Sequence, residues 1–451
     1  MTAVPISLKL LDRYDRPAPR YTSYPPIPFW HNDFGEQDGR AALAELAASD
    51  DPVTVYTHLP FCVARCYYCG CNATVTRNPA VQSAYVDRLA RELDLVGTTL
   101  AGRRRATGIH WGGGTPNFLG ATDIERLLDL LRDRFEWAVD AELSIEIDPR
   151  VASAEQLAHL RRLGFNRLSL GVQDFDADVQ CAIGRVQSEA LVRELRDAAS
   201  GLGFRSVNFD LVYGLPRQTL TSFARTLELV IAQGPDRIAC FAYAHVPWMR
   251  PNQKRILDSD LPTRGDRFQL FQLAVEMLTG AGYQWIGLDH FARPGDDLAT
   301  AQAGGRLRRN FMGYVIDPAP HLLAFGASSI SEVAGRFLQN DPKLGGYQRA
   351  IDAGTLPIVR GHVLTPEDRI RRAAIERLMC DLELPYSDLA PLAQESDPLT
   401  PFRQFVDEDF IRCEIDRLRV TDRGRFFLRN ICTALDAYSA RAPEVRFSRA
   451  V

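Results

Sequence analysis

Residues 53–72 read VTVYTHLPFCVARCYYCGCN, a β-rich run followed at once by a loop that holds four of the nine cysteines in the chain. The alternating β-branched and aromatic residues of Val53–Leu59 predict a β-strand of a buried sheet. Cys62, Cys66, Cys69 and Cys71 follow it within ten consecutive residues. The loop at the end of this strand is therefore the strongest candidate in the chain for a metal-binding or catalytic site.

Five further β-rich runs follow, and amphipathic helical patterns separate them. They are TGIHWG (Thr107–Gly112), ELSIEID (Glu142–Asp148), RLSLGVQ (Arg167–Gln173), SVNFDLVYG (Ser206–Gly214) and RIACFAYAH (Arg237–His245). Strands that alternate with helices are typical of an α/β protein with a parallel sheet. Six such units predict an incomplete (βα)6 barrel, a three-quarter TIM-type barrel, with its reaction centre at the carboxyl ends of the strands.

The rest of the chain divides by pattern around that barrel. Residues 1–52 are rich in proline and irregular, which predicts an N-terminal arm over the active site. We assign residues 53–260 to the barrel and residues 261–360, a mixed region, to a barrel-flanking extension. The helical patterns of residues 361–451 predict a separate, mostly helical C-terminal domain.

Polar and glycine-rich positions recur where the predicted strands end. Trp111–Pro116 reads WGGGTP, Glu146 lies late in the third strand, Gln173 ends the fourth and Asp210 lies within the fifth. A polar side chain in a buried parallel strand is costly unless a partner satisfies it. The topology therefore predicts that these residues meet the cysteine loop at one rim of the barrel.

Composition excludes several function classes. The chain has 451 residues, 53 basic and 57 acidic, a net charge of -4 and a mean hydropathy of -0.17. This balance gives no cationic field for nucleic acid. The sequence has no long apolar run, so we expect neither a membrane span nor a signal peptide. We expect a cytoplasmic protein, where cysteines stay reduced and clustered thiols serve metals or catalysis rather than disulfides.

Thiolates bind both zinc and iron-sulfur clusters, so the spacing has to separate the two. Structural zinc usually takes two ligand pairs from two segments, whereas Cys62, Cys66 and Cys69 form one compact loop without a second pair downstream. Cys71 is a conceivable fourth ligand, but a single residue separates it from Cys69. The spacing favours a cluster held at three irons.

The C-x3-C-x2-C spacing resembles that of the radical S-adenosylmethionine superfamily, as do the aromatic Tyr68 before the last ligand and the glycine-rich turn after the second strand. The resemblance implies a 4Fe-4S cluster on Cys62, Cys66 and Cys69 whose fourth iron is open to S-adenosylmethionine. In that superfamily one electron from the cluster cleaves S-adenosylmethionine, and the 5'-deoxyadenosyl radical so formed abstracts hydrogen in a closed, dry pocket.

Further stretches are similar to the oxygen-independent coproporphyrinogen III oxidase family and run from the N-terminal arm to the C-terminal region. They are PRYTSYPP (Pro19–Pro26), YTHLPFC (Tyr56–Cys62), CGCN (Cys69–Asn72), SIEIDP (Ser144–Pro149), LGVQDF (Leu170–Phe175), NFDLVYGLP (Asn208–Pro216), IGLDHFARP (Ile286–Pro294), LRRNFMGY (Leu307–Tyr314) and LRNICTALDAY (Leu428–Tyr438). The resemblance implies oxidative decarboxylation of two propionates of coproporphyrinogen III to vinyl groups, which gives protoporphyrinogen IX in haem biosynthesis.

The resemblance also implies roles for single residues beyond the three cluster ligands. The catalytic candidates are Tyr56, Cys71 and Glu146. The positions expected to contact the S-adenosylmethionine at the cluster are Tyr56, Gly113, Glu146 and Ile330. The positions expected around a second S-adenosylmethionine are Tyr68, Gly114, Thr115, Gln173, Arg185, Asp210 and Ala244.

The substrate in this family carries four propionates, so we expect arginines to face it, with Arg20, Arg293, Arg308 and Arg309 as candidates. The other expected partners are an electron donor of the flavodoxin or ferredoxin type and an unidentified electron acceptor, and we expect a monomer. Three alternatives stay open here. They are a haem chaperone, a haem-degrading or C-methylating relative, and a structural zinc protein that uses all four cysteines.

The four cysteines give the first testable prediction, because only three of them are expected to bind iron. Cys66→Ser should lose the iron-sulfur absorbance, whereas Cys71→Ser should keep the cluster but impair decarboxylation. Anaerobic reconstitution followed by visible spectroscopy and a substrate assay checks both variants. Loss of the cluster absorbance in Cys71→Ser would contradict the three-ligand interpretation.

Overall fold

The computed structural model describes residues 6–100, 102–316, 318–392 and 399–439, together with 441, 447 and 449. The first five residues of the predicted arm and most of the last twelve of the predicted C-terminal domain lie outside this part of the chain. Its largest element is a sheet of twelve strands.

The strands carry labels in chain order. They are β1 (Val53–Leu59), β2 (Phe61–Cys62), β3 (Thr74–Val75), β4 (Arg104–Gly113), β5 (Phe135–Ile147), β6 (Arg167–Gln173), β7 (Ser206–Tyr213), β8 (Arg237–Ala242), β9 (Gln284–Gly287), β10 (His290–Ala292), β11 (Leu307–Asn310), β12 (Gly313–Ile316), β13 (His321–Phe325), β14 (Ile330–Val333), β15 (Arg336–Asn340), β16 (Ile358–Val363), β17 (Glu383–Pro385), β18 (Ile411–Cys413) and β19 (Arg417–Val420).

The α-helices are labelled in the same way. They are α1 (Leu8–Tyr14), α2 (Glu36–Ala47), α3 (Pro79–Leu100), α4 (Ala121–Arg134), α5 (Ala154–Leu163), α6 (Ala177–Ile183), α7 (Glu189–Gly201), α8 (Leu220–Gln233), α9 (Arg264–Gly280), α10 (Asp297–Ala303), α11 (Leu344–Asp352), α12 (Pro366–Cys380), α13 (Tyr386–Leu389), α14 (Arg403–Asp407), α15 (Asp422–Arg425) and α16 (Leu428–Cys432). Within the described residues, none of them is long and apolar enough to cross a membrane.

The large sheet has the order β16-β15-β14-β13-β1-β4-β5-β6-β7-β8-β10-β9. The six predicted strands are its neighbouring members β1, β4, β5, β6, β7 and β8, and they pair in parallel. The predicted α/β fold with an incomplete barrel is therefore confirmed. β13 adds a seventh parallel strand beside β1.

Local signals explain why the crossover segments become helices. Ser153 caps the start of α5 by accepting a hydrogen bond from the backbone N–H of Gln156, and Gly164 ends that helix at φ +107°. Thr219 and Gly234 bound α8 in the same manner. Leucines such as Leu157, Leu160 and Leu227 then bury the inner faces of these helices against the strands.

Segments outside the six units extend both ends of the sheet. β10 and β9 join antiparallel to β8, while β14, β15 and β16 continue antiparallel from β13. The β11–β12 hairpin contributes Met312 and Tyr314 to the wall of a cavity inside the barrel. β17, β19 and β18 form a separate small sheet next to the C-terminal helices.

The N-terminal segment is fixed to the C-terminal region by buried polar contacts. The Arg429 side chain donates hydrogen bonds to the carbonyls of Ala18 and Pro19, and Tyr21 donates from its hydroxyl to Asp436 at 3.1 Å. The backbone N–H of Ala437 donates to the Tyr24 hydroxyl. These contacts hold residues 18–24 in one place on the protein.

A buried carboxylate connects the barrel with the turn between β13 and β14. Glu92 on α3 accepts hydrogen bonds from the Gly326 N–H at 2.8 Å, the Tyr347 hydroxyl at 2.7 Å and the Asn340 amide at 2.6 Å. The Tyr85 hydroxyl donates to the His58 carbonyl at the end of β1. Burial raises the pKa of Glu92 to about 7, and these three donors oppose that rise.

Gly326 is the tightest point of this turn and gives a stability prediction. Its φ is +97°, and a Cβ there would lie 2.5 Å from the Tyr85 hydroxyl and 2.6 Å from the His58 carbonyl oxygen. Gly326→Ala should therefore lower the free energy of unfolding by about 3 kcal/mol, from backbone strain and the clash together.

Gly354→Ala is the matched control, because Gly354 also has a positive φ, +74°, but has open space around its Cβ position. It should cost only about 1 kcal/mol. Urea denaturation of the two variants measures the difference. Equal losses of stability would show that the contact with Tyr85 and His58 carries no cost.

Candidate active site

The cysteine loop lies at the carboxyl end of β1 and is closed by a short parallel pair, β2 and β3. The Thr74 N–H donates to the Pro60 carbonyl at 2.6 Å, and the Thr76 N–H donates to the Cys62 carbonyl at 3.1 Å. These bonds fix both ends of the loop. The residues between them are free to present thiols instead of pairing with the sheet.

The four thiols of the loop face one cavity of about 580 Å³ at the rim of the barrel. All nine cysteines are free, and Cys66 is the buried member of the four. No group of three His, Cys, Asp or Glu side chains within the described ranges is placed to hold a single metal ion. What the loop provides is a set of reduced sulfurs that line a space much larger than one ion.

Hydrogen-bond donors point at these sulfurs, as donors around the ligands of a thiolate-bound cofactor do. The Thr115 hydroxyl lies 3.3 Å from the Cys62 sulfur, and the Cys71 N–H donates to the Cys69 sulfur at 3.4 Å. The Cys71 thiol, and then its N–H, lower the pKa of Cys69 to about 6, whereas burial raises the pKa of Cys62 to about 11. The donor set fits a cluster held by Cys62, Cys66 and Cys69.

Three consecutive glycines let the end of β4 pass against the cysteine loop. The Gly114 N–H donates to the Leu59 carbonyl at 2.9 Å, and a Cβ on Gly114 would lie 2.7 Å from the Pro60 carbonyl carbon. Gly113 has φ +122°, and its Cβ would meet the His58 ring at 2.8 Å. Side chains at these two positions would push the cysteine loop away from the barrel.

Glu146 occupies the centre of the rim, on β5. Its carboxylate accepts a hydrogen bond from the Gly113 N–H at 3.0 Å and lies 3.7 Å from the His110 Nε2. Burial alone would raise the pKa of Glu146, but His110 and the Gly113 N–H outweigh burial and lower it. Tyr56 stacks on the His110 ring, and its hydroxyl lies 3.1 Å from the His58 Nδ1.

A buried ionic group connects Cys66 with β6. Arg185 bonds to the Asp148 carboxylate through two nitrogens, at 3.0 and 3.1 Å, and donates to the Gly171 carbonyl at 2.7 Å. Arg150 pairs with the same carboxylate at 2.7 Å. Both arginines reach the Cys66 sulfur, at 3.8 and 3.6 Å. The site therefore places two cations beside a candidate thiolate ligand.

Asp210 lies inside the barrel, where its carboxylate accepts hydrogen bonds from the Ser169 hydroxyl and the Asn208 amide, both at 2.8 Å. Burial, and then the negative charge of Glu146, raise the pKa of Asp210 to about 7. Asp210 and Glu146 line both the thiol cavity and a second cavity of about 270 Å³ within the barrel. The two cavities meet at these carboxylates.

Most of the predicted site residues converge on this rim. The thiol cavity is lined by the four cysteines and by Tyr68, Gly113, Gly114, Thr115, Glu146, Gln173, Arg185, Asp210 and Ala244. Tyr56 lies outside that lining, but it contacts His58 and His110, and His110 in turn lies beside Glu146. Ile330 also lies outside that lining; it begins β14 and packs towards Trp30 and Phe337.

The four candidate arginines separate into two pairs. Arg20 pairs with Asp289 and lies over the Phe241 ring, which lines both cavities. Arg309 is buried over the Tyr314 ring. Arg308 is exposed. Arg293 is also exposed, and its backbone N–H donates to the carbonyl of Asp236 beside the amino end of β8. Only the first pair lies beside the cavities.

Sequence reasoning missed several residues of the site. His58, His110, Asp148 and Arg150 stand next to predicted positions, inside or beside the matched stretches, and their proximity to the strand ends was the signal that could have found them. Asn252 left no such signal, because it lies in a short 3-10 turn after β8, outside every matched stretch. Its amide nonetheless donates to the carbonyls of Cys66, Tyr67 and Cys69 at 2.9–3.2 Å.

Comparison with known proteins agrees with this geometry. The pattern of the radical SAM superfamily matches residues 56–230. Oxygen-independent coproporphyrinogen III oxidase from Pseudomonas aeruginosa is 40% identical over 450 residues, and its Escherichia coli counterpart is 41% identical over 456 residues. Each alignment covers 98% of this chain and 98% of the relative.

A solved structure gives the same result for the fold. The structure of coproporphyrinogen III oxidase from Escherichia coli, described as a radical SAM enzyme, superposes with a TM-score of 0.90 at 39% identity. The superposition covers 97% of this chain and all of the other chain.

Proposed function

This chain belongs to the oxygen-independent coproporphyrinogen III oxidase family of radical SAM enzymes, and from that membership we propose which of its residues perform the reaction. The function is oxidative decarboxylation of two propionate side chains of coproporphyrinogen III to vinyl groups, without dioxygen, in haem biosynthesis. One observation carries it, namely that the relatives of this name align over 98% of the chain, from the arm to the C-terminal region.

Cys62, Cys66 and Cys69 are proposed to hold a 4Fe-4S cluster. When bound, the cluster and S-adenosylmethionine supply the 5'-deoxyadenosyl radical that removes a hydrogen from the propionate. The protein contributes the surroundings. Arg150 and Arg185 neutralise charge beside Cys66, Thr115 and the Cys71 N–H donate towards two of the sulfurs, and Cys71 lines the site as a neighbour instead of a ligand.

Glu146 and Tyr56 are proposed to bind the polar end of the first S-adenosylmethionine. The Glu146 carboxylate is ionised because His110 and the Gly113 N–H support its charge, so it suits an ammonium or sulfonium group. Gly113 leaves its backbone open to the ligand. The assignment of Ile330 rests on the family match, because this residue lies outside the lining of the thiol cavity.

Tyr68, Gly114, Thr115, Gln173, Arg185, Asp210 and Ala244 are proposed to surround a second S-adenosylmethionine. They line the same cavity, and their position next to the barrel interior supports the assignment. Asp210 is the titratable member that most directly faces both cavities.

The substrate is proposed to approach from the side covered by the N-terminal arm. Arg20, in the arm, and Arg309, on β11, lie against Phe241 and Tyr314, which line the inner cavity. A buried Arg309 nitrogen, Nη1, has no hydrogen-bond partner, which supports a role for this arginine with a carboxylate. Arg308 and Arg293 are not retained as propionate ligands, because both are exposed and Arg293 is bound to Asp236 at the amino end of β8.

The remaining assignments follow from the same function. We propose that a donor of the flavodoxin or ferredoxin type reduces the cluster and that a second, unidentified acceptor takes the electron left after decarboxylation. A cytoplasmic, monomeric enzyme is the simplest arrangement consistent with the composition. The naming of full-length relatives as oxidases favours this function over the haem-chaperone, C-methylating and zinc interpretations.

Asp210 makes the binding of S-adenosylmethionine depend on pH. The pKa of Asp210 is about 7, because burial and the Glu146 charge oppose ionisation while Ser169, Asn208 and His110 favour it. A cationic ligand requires the ionised carboxylate. Below pH 7 Asp210 must first lose a proton, so the Kd of the second S-adenosylmethionine should rise by up to tenfold for each unit by which the pH is lowered.

Equilibrium dialysis of the reconstituted enzyme between pH 6 and pH 8.5 measures this slope. Asp210→Asn should remove this slope. Asp133 is an exposed acid near the end of α4, and Asp133→Asn should keep the slope. A slope that persists in Asp210→Asn would contradict the role of Asp210.

The decisive test of function is turnover under anaerobic conditions. Reconstituted protein that dithionite has reduced, supplied with coproporphyrinogen III, S-adenosylmethionine and a one-electron acceptor, should release two molecules of carbon dioxide and form protoporphyrinogen IX. Mass spectrometry of the porphyrin product checks the outcome, with Cys66→Ser as the inactive control. An intact cluster that cleaves S-adenosylmethionine but leaves all four propionates would refute the assignment.

A further inference from the structure

The loop that follows β8 exposes large apolar side chains beside the cysteine loop. Trp248, Met249 and Leu257 have 63%, 66% and 61% of their surface exposed. Among the large apolar residues exposed in the described ranges, Trp248 is the only tryptophan and Met249 the only methionine, and they are adjacent. Exposed tryptophan and methionine are typical of protein interfaces rather than of bare surface.

This loop is bound directly to the backbone that carries the cluster ligands. The Asn252 amide donates to the carbonyls of Cys66 and Cys69, and the Gln253 amide donates to the Tyr68 carbonyl at 2.8 Å. Arg255 stacks over the Tyr67 ring at 4.8 Å. The 246–257 loop is therefore held against the thiol loop, and the exposed Trp248 belongs to the same loop.

The face is basic although the whole chain is acidic. Residues 52–86, which include the cysteine loop, contain Arg65 and Arg77 but no aspartate or glutamate. In the connection after β8, residues 243–257 contain Arg250, Lys254 and Arg255, also without an acid, and the exposed Asp258 that follows pairs with His245 at 3.2 Å. Within the described residues, neither Arg250 nor Lys254 has an ion-pair partner. Two acid-free segments that pack together create a positive surface in a chain of net charge -4.

We propose that the 246–257 loop, with Trp248 and Lys254 at its exposed surface, is the docking face for the electron donor, a small redox protein with acidic residues around its cofactor. This inference rests on the proposed function, because a reducible cluster must lie beneath the face. Electron transfer weakens steeply with distance, so the donor has to bind where the cluster loop is nearest to solvent. The donor loses one electron to the cluster, and docking itself makes or breaks no bond.

The substrate is a less suitable occupant of this face. Its reacting propionate has to reach the inner side of the rim, where Glu146 and Asp210 join the two cavities. Met249 and Arg250 of the loop line the thiol cavity, but Trp248 and Lys254 line neither cavity, so the docking face is the outer side of the loop. Redox partners typically form small, weak interfaces that depend on electrostatic steering. A few exposed cations around an apolar centre match such an interface.

The test compares a protein donor with a chemical one in the reconstituted holoenzyme. Lys254→Glu and the double variant Trp248→Ala/Lys254→Glu should raise the Kd for an acidic flavodoxin by about fivefold and about twentyfold at low ionic strength. Binding is measured by calorimetry with oxidised flavodoxin and requires no turnover. Salt at about 0.5 M should reduce the effect of Lys254→Glu, because it screens charge.

Arg205→Glu is the matched control, since Arg205 is exposed and lies just before β7, at the opposite end of the barrel strands. It should leave the Kd for flavodoxin unchanged. With dithionite as the reductant, all the variants should produce 5'-deoxyadenosine at the wild-type rate.

Three results would overturn the docking face. The first is an unchanged Kd for flavodoxin in the double variant. The second is a loss of activity with dithionite that equals the loss with flavodoxin as the donor. The third is a dimeric wild-type protein that Trp248→Ala makes monomeric. The first result would exclude the loop as the binding site of the donor. The second would indicate that the loop binds substrate, and the third that it binds a second copy of the chain. Failure of the proposed function looks different, because wild-type protein with dithionite would then leave coproporphyrinogen III intact.

Discussion

The site depends on one close approach between two backbones. The Gly114 N–H bonds to the Leu59 carbonyl, and any Cβ at position 114 would collide with the Pro60 carbonyl group. That contact brings the end of β4 against the start of the cysteine loop. Because the Gly113 N–H also binds Glu146, the same glycine turn fixes the carboxylate at the centre of the rim relative to the thiols.

Charge at the rim is balanced by neighbours that the strands bring together. Glu146 lies near the end of β5 and Asp148 lies just after it, and the two carboxylates contact different partners. Arg150 and Arg185 overcome the effect of burial on Asp148 and lower its pKa, whereas Asp210, close to Glu146, has a raised pKa. The thiol side of the site is therefore rich in cations, and the barrel side contains a carboxylate that titrates near neutrality.

Much of this was accessible before the structure. The six parallel strands were predicted from alternating runs, and β1 and β6 have the predicted bounds. The strand-end rule also brought Gln173 and Asp210 to the correct rim. The added strands β13–β16, β9 and β10 were not predicted, because their short runs carry no period long enough to separate them from loops.

Residue types and their spacing were enough to indicate the chemistry of this protein, because thiol spacing, glycine turns and strand-end polarity are local properties of neighbouring residues. The family relationship is also carried along the whole length of the chain. Which distant groups meet is set by the folded arrangement: Arg185 contacts Asp148 and Cys66, Asn252 contacts the cysteine-loop carbonyls, and Arg20 contacts Asp289. Such contacts join residues far apart in the chain, and their energies depend on the burial that folding creates.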